Sequence, residues 1–116
     1  QYPGEQIWIA GGIGIVPFLT WARSLPHDAP KITLYYCVKD PAEAAGLNEI
    51  KNINKQLICS SERPHLQATE LPYTGASAIL LCGPRRLTRD PTRQLTALGY
   101  PRRQIHFEDF EFFQGR

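Results

Sequence analysis

Apolar and polar positions along the chain follow two rhythms in turn. Nearly unbroken apolar runs recur at Gln6–Ala10, Lys31–Val38, Gln56–Ser60, Ser77–Cys82 and Gln104–Glu108, and each predicts a strand. The second run, Ile32-Thr33-Leu34-Tyr35-Tyr36-Cys37-Val38 after Lys31, is apolar or aromatic almost throughout, the pattern of a strand covered on both faces. Between the runs the spacing becomes helical. Phe18, Ala22 and Leu25 share one face of a helix predicted over Pro17–Leu25, and Pro26 stops it. Asp40-Pro41-Ala42-Glu43 predicts a second helix start, with Asp40 as cap, proline first and an acid third. Leu47 and Ile50 form its inner stripe, and Gly46 costs about 1 kcal/mol relative to alanine, which predicts a short or irregular helix. A third helix starts at Pro84 or at the cap Asp90 with Pro91, turns Leu95 and Leu98 inward, and closes at Gly99. Residues 61–76 are rich in turn formers and predict no regular element.

Strands that alternate with helices predict an α/β fold, a parallel sheet with helices on both faces. At 116 residues the chain is one domain with a single core. Its net charge of +2 favours no polyanion partner, and basic and aromatic residues are not interleaved as nucleic-acid binding requires. No apolar run nears the roughly 20 residues of a membrane span. The opening Gln1-Tyr2-Pro3-Gly4-Glu5 has no signal-peptide pattern and no initiator methionine, so a processed or excised piece is expected. Cys37, Cys59 and Cys82 are odd in number and lack any Cys-x-x-Cys spacing, which predicts reduced thiols in a cytosolic setting. His27, His65 and His106 are scattered, and no metal site is expected.

The chemistry concentrates in Ile7-Trp8-Ile9-Ala10-Gly11-Gly12-Ile13-Gly14-Ile15-Val16-Pro17-Phe18. A strand runs into three glycines, and a helix opens on a proline whose missing N–H has no helical partner to lose. Such a loop lets an anion approach bare N–H groups at the positive end of a helix. It is not a P-loop, since no Gly-Lys-Ser/Thr follows, and the third glycine of the ordinary dinucleotide fingerprint is replaced by Pro17. A second glycine turn, Cys82-Gly83-Pro84, closes the fourth strand. If the first and fourth strands are neighbours, Gly11–Gly14 and Cys82–Pro84 line one crevice at the carboxyl edge of the sheet.

These two segments, followed by Ile105-His106-Phe107-Glu108-Asp109-Phe110, resemble in order the nucleotide-binding half of ferredoxin–NADP reductase-like flavoenzymes. The stretches Trp8–Trp21 and Tyr35–Ile50 look most like bacterial ferric-reductase-like proteins, relatives of the NADPH oxidases. The resemblance implies five parallel strands in the order 3-2-1-4-5, and a nicotinamide nucleotide that hands hydride to a flavin. Carried over residue by residue, it gives Gly11, Gly12, Gly14 and Pro17 to the pyrophosphate, with Val16 standing where threonine is common. Cys82, with Gly83 and Pro84, is implied beside the nicotinamide, whereas read by itself it is a small buried hydrophobe at a strand end. Glu108 and Phe110 match positions near the flavin, the aromatic ring covering a flavin face. Ser60 and Arg63 follow the third strand where NADPH-preferring relatives carry a serine–arginine pair, so NADPH is expected, with NADH the alternative. Catalytic roles therefore fall to Cys82 and Glu108.

A flavin-binding barrel normally accompanies such a module, and nothing in this chain resembles it. The expectation is a C-terminal nicotinamide-dinucleotide-binding domain, residues 1–116, whose FAD is held mainly by another domain of the parent protein. That parent is expected in the inner membrane, with this domain cytoplasmic and not itself inserted. A non-catalytic nucleotide sensor or interaction module with the same fold is the alternative.

Overall fold

In the computed structural model, which describes residues 5–25, 31–44, 47, 50, 53–71, 78–83 and 93–109, the middle strand β1 (Gln6–Gly11) is buried along its whole length. It is flanked by β2 (Ile32–Val38) and β4 (Ala78–Gly83), both equally buried. β3 (Asn54–Cys59) and β5 (Ile105–Asp109) form the edges. Every pairing is parallel and the order is β3-β2-β1-β4-β5, the one the resemblance implies. One register row crosses the sheet through Leu57, Tyr36, Ala10, Cys82 and Glu108.

Alternation along the strands divides the core in two. Trp8, Ala10, Leu34, Tyr36, Leu80 and Cys82 face α1 (Ile15–Arg23). There Trp8 stacks on Phe18 with ring centroids 4.9 Å apart, and Trp21 meets both rings edge-on. The buried indole N–H of Trp8 donates to Gln6 Oε1 at 2.9 Å, so this dense packing leaves no orphan donor there. Ile7, Ile9, Tyr35, Cys37, Ile79 and Leu81 face the other way, under Leu66, Leu71, Leu95 and Tyr100.

Several expected boundaries move. α1 starts at Ile15, two residues early, and Pro17 is its third residue. That position is still within the first turn, where an N–H has no helical acceptor. The expected helix at Asp40 is only a 3-10 turn, Pro41–Glu43, and Asp40 makes no side-chain cap. Single turns continue from it through the Leu47 N–H to Ala44 O and the Ile50 N–H to Leu47 O, each 3.1 Å. Lys55 Nζ then donates to the Ile50 carbonyl at 2.6 Å. Leu98 is 55% exposed instead of facing inward. Helical residues 93–97 bury Leu95, and the Leu98 N–H still bonds to the Gln94 carbonyl at 3.0 Å, but the chain then turns through Gly99 at φ +95°. Tyr100 fills the inner place instead, its N–H bonded to the Leu95 carbonyl. The alternative starts of that helix, at Pro84 or at Asp90-Pro91, lie outside the described residues. No described helix is long and apolar enough to cross a membrane.

Candidate dinucleotide crevice

Because β1 and β4 pair directly, the two glycine turns leave the sheet side by side. They touch backbone to backbone. A Cβ built on Gly14 would clash with the Cys82 carbonyl group and lie 2.8 Å from Gly83 Cα. A Cβ on Gly83, whose φ is +147°, would lie 2.7 Å from the Gly11 carbonyl oxygen. Each glycine therefore admits the other strand's main chain, which no larger residue could do. Gly12 is different: its φ of +56° favours glycine, yet nothing lies within 4 Å of where its Cβ would be. The loop is sealed toward β4 at Gly14 and open at Gly12.

Tyr36 fixes the open part, its phenol donating to the Gly12 carbonyl at 2.9 Å. Sequence reading missed this residue, because a tyrosine near the end of an apolar strand reads as core. A hydroxyl placed next in register to the residue before the glycine loop is the signal that could have found it. Gly14 leads into α1 without any side-chain cap, and Val16 in the first turn is 52% exposed beside the crevice. Pro17 is half-buried there. The arrangement presents the positive end of a nine-residue helix to the open loop.

Cys82 reaches the crevice through its main chain, while its side chain belongs to the buried cluster under α1. At 1% exposed, the thiol offers almost no surface to a ligand in this arrangement. Glu108 is its register partner on β5, so the row brings both residues assigned catalytic roles to adjacent strands. The side chain of Glu108, and Pro84 and Phe110 altogether, lie outside the described residues.

Ser60 and Arg63 lie at the same carboxyl edge, two strands from β1. The turn is tight: the Ser60 N–H donates to Val38 O at 2.9 Å, the Ser61 N–H to Lys39 O, and the Arg63 N–H to Cys59 O. The Arg63 guanidinium does not reach outward alone. Its Nη2 pairs with Glu70 Oε2 at 2.6 Å and its Nε donates to the Pro64 carbonyl at 2.9 Å. Glu70 Oε2 also accepts the Gln67 N–H at 2.9 Å. The hydrogen bond from Arg63 holds the Glu70 carboxyl below its ordinary range, and Glu70 in return raises the Arg63 guanidinium. Glu70 was missed because it lies in the aperiodic stretch. Beneath this pair, burial pushes the Cys37 thiol up to about 12, outweighing the opposing pull of Arg63. Cys37 is therefore a protonated, inert core residue. The chain's three cysteines are all buried and form no disulfide.

No family model matches the chain. It is 32% identical over 111 residues to a reductase of Gibberella moniliformis, covering 90% of this chain and 20% of that protein. It is 30% identical over 113 residues to the phthalate dioxygenase reductase of Burkholderia cepacia, covering 90% of this chain and 34% of the relative. The ferredoxin reductase in carbazole 1,9a-dioxygenase superposes with a TM-score of 0.72 at 24% identity, over 94% of this chain and 36% of that one. The chain thus spans a fifth to about a third of the length of these relatives. Over about nine-tenths of its length the chain is similar to these reductases, and it has the fold of the nucleotide-binding half of the ferredoxin–NADP reductase-like flavoenzymes.

Proposed function

We propose that this chain binds a nicotinamide dinucleotide across the ends of β1 and β4, as one domain of a longer flavoprotein. One observation carries the reading: two glycine turns interlock so that Gly12 and the start of α1 form a single open anion seat, directly beside Cys82. A dinucleotide fits it, since the missing side chain of Gly12 leaves the pyrophosphate room to approach the main chain. Pro17 lies half-buried in the first turn of α1, where its missing N–H costs no helical bond, and Gly83 lets the β4 turn close on the Gly11 main chain. The bound nucleotide supplies the hydride, and the flavin that accepts it is assigned to the domain this chain does not contain. The chain's own contribution is position, because hydride transfer requires reacting atoms held about 3–3.5 Å apart.

The onward acceptor we assign is an oxygenase partner, supported by the name of the Burkholderia relative. The alternative of a membrane-embedded, ferric-reductase-like parent with this domain on its cytoplasmic side rests on Trp8–Trp21 and Tyr35–Ile50 alone. Calorimetric titration of the chain with ADP-ribose, which carries the pyrophosphate without the nicotinamide, tests the seat. Saturable one-to-one binding is expected. A folded chain that ignores ADP-ribose would refute the assignment.

A further inference from the structure

We infer that Glu70 is the residue that sets which dinucleotide enters, holding Arg63 so that the site takes the unphosphorylated form and rejects a 2′-phosphate. The inference rests on the dinucleotide reading above, and goes past it to the one feature that separates NADH from NADPH.

The turn after β3 stands at the same sheet edge as the glycine loop, with β2 between. Neighbouring strands are about 4.8 Å apart, so roughly 10 Å separates the two. A dinucleotide seated on Gly12 would extend that far, and its adenosine ribose falls at the turn. An arginine there normally offers a phosphate two parallel N–H donors. Here the fork is already engaged on one side, since Nη2 faces the Glu70 carboxylate and Nε the Pro64 carbonyl. Glu70 is itself fixed by the Gln67 N–H, so the pair is a held geometry and not a chance surface contact. A 2′-phosphate brings about two negative charges and would meet that carboxylate at close range. A ribose 2′-hydroxyl, by contrast, can donate to a carboxylate.

The charges around the turn point the same way. Hydrogen bonds from Ser60 and Ser61 tie the turn to Val38 and Lys39, and Asp40 follows immediately. In sequence the segments meeting at this turn carry Lys39 and Arg63 beside Asp40, Glu62 and Glu70, two cations and three anions. The turn carries an excess of one negative charge. That balance suits a neutral ribose and opposes a phosphate monoester.

The experiment titrates the chain with NADH and NADPH, a pair differing only in the 2′-phosphate, and repeats this with Glu70→Gln and with Glu70→Gln combined with Arg63→Ala. Glutamine keeps an acceptor for the Gln67 N–H, so the turn is preserved. The unsubstituted chain should bind NADH at least about tenfold more tightly. Glu70→Gln should shift the ratio of NADH to NADPH affinity about tenfold toward NADPH, and the double variant should lose that gain. A chain that already prefers NADPH overturns the inference without any variant. NADH binding that persists while Glu70→Gln leaves the ratio unmoved also overturns it, and leaves the dinucleotide reading standing. A folded chain that binds neither nucleotide overturns both.

Discussion

The phenol of Tyr36 and the carbonyl of Gly12 are joined by a 2.9 Å hydrogen bond between the end of β2 and the loop after β1. Carbonyl and N–H point in opposite directions across a trans peptide. Fixing the Gly12 carbonyl toward β2 therefore turns the following N–H the other way, toward the open side of the loop. Tyr36→Phe keeps the ring and the core but lets that peptide rotate. Nucleotide affinity should fall several-fold, for a loss of about 1 kcal/mol. Titration beside a melting curve checks this. Unchanged affinity would show that the phenol merely satisfies a buried acceptor.

The interlocked glycines make a paired prediction about stability. Gly14→Ala drives a methyl group into the Cys82 carbonyl, and backbone there cannot yield as a flexible side chain can. A loss of about 3 kcal/mol is expected, which lowers the melting temperature by roughly 10 °C or more. Gly12→Ala meets no neighbouring atom and carries only the strain of its positive φ, about 1 kcal/mol. Equal effects at the two positions would mean that close approach of the strands is not what position 14 is selected for.

Cys82 separates the redox reading from a nucleotide sensor. In the longer flavoprotein proposed above, Cys82→Ser should slow hydride transfer about tenfold, since small displacements of the ring degrade the reactive alignment. Nucleotide affinity should remain within about twofold, because the proposed anion seat follows the other strand. Stopped-flow reduction of the flavin measures the rate. A sensor would show no rate to lose.

The Arg63–Glu70 pair gives the chain an acid-sensitive contact. The Glu70 carboxyl lies below its ordinary value of 4.5, chiefly through the hydrogen bond from Arg63. A depressed carboxyl stabilises the fold above its ordinary value, and that contribution is lost as pH falls through the lowered one. Melting curves from pH 7 to pH 3 should therefore show the unsubstituted chain approaching Glu70→Gln as acid is added. The pair is partly exposed, so the gap at pH 7 is small, and it should narrow further in high salt. A gap that widens in acid would contradict the pairing.

Much of this was legible in the residues. The five apolar runs became five strands, because burial on both faces of a parallel sheet leaves continuous apolar sequence. The two glycine turns were legible through Gly12 and Gly83, whose positive φ is a local demand that glycine meets without strain, whereas the close approach that requires Gly14 is long-range. What escaped was long-range or aperiodic. Leu66 and Leu71 cover the second face of the sheet from a stretch without helical or strand spacing, so no pattern announced their burial. Tyr36 and Glu70 act through partners 24 and 7 residues away in sequence, and hydroxyl and carboxyl groups leave no periodic trace. Leu98 shows the reverse error. Its spacing from Leu95 suggested an inner helical face, but the chain turns back through Gly99 and Tyr100 takes the inner place, leaving Leu98 exposed at the helix end.

Both tryptophans of the chain lie in the Trp8–Phe18–Trp21 stack that seats α1 on β1. The chain's indole emission therefore originates within the helix–strand junction next to the proposed anion seat. Reduced nicotinamide absorbs where indole emits, so a ligand lodged there would quench the light by energy transfer. The junction is a built-in optical gauge, and occupancy can be followed on the unlabelled molecule.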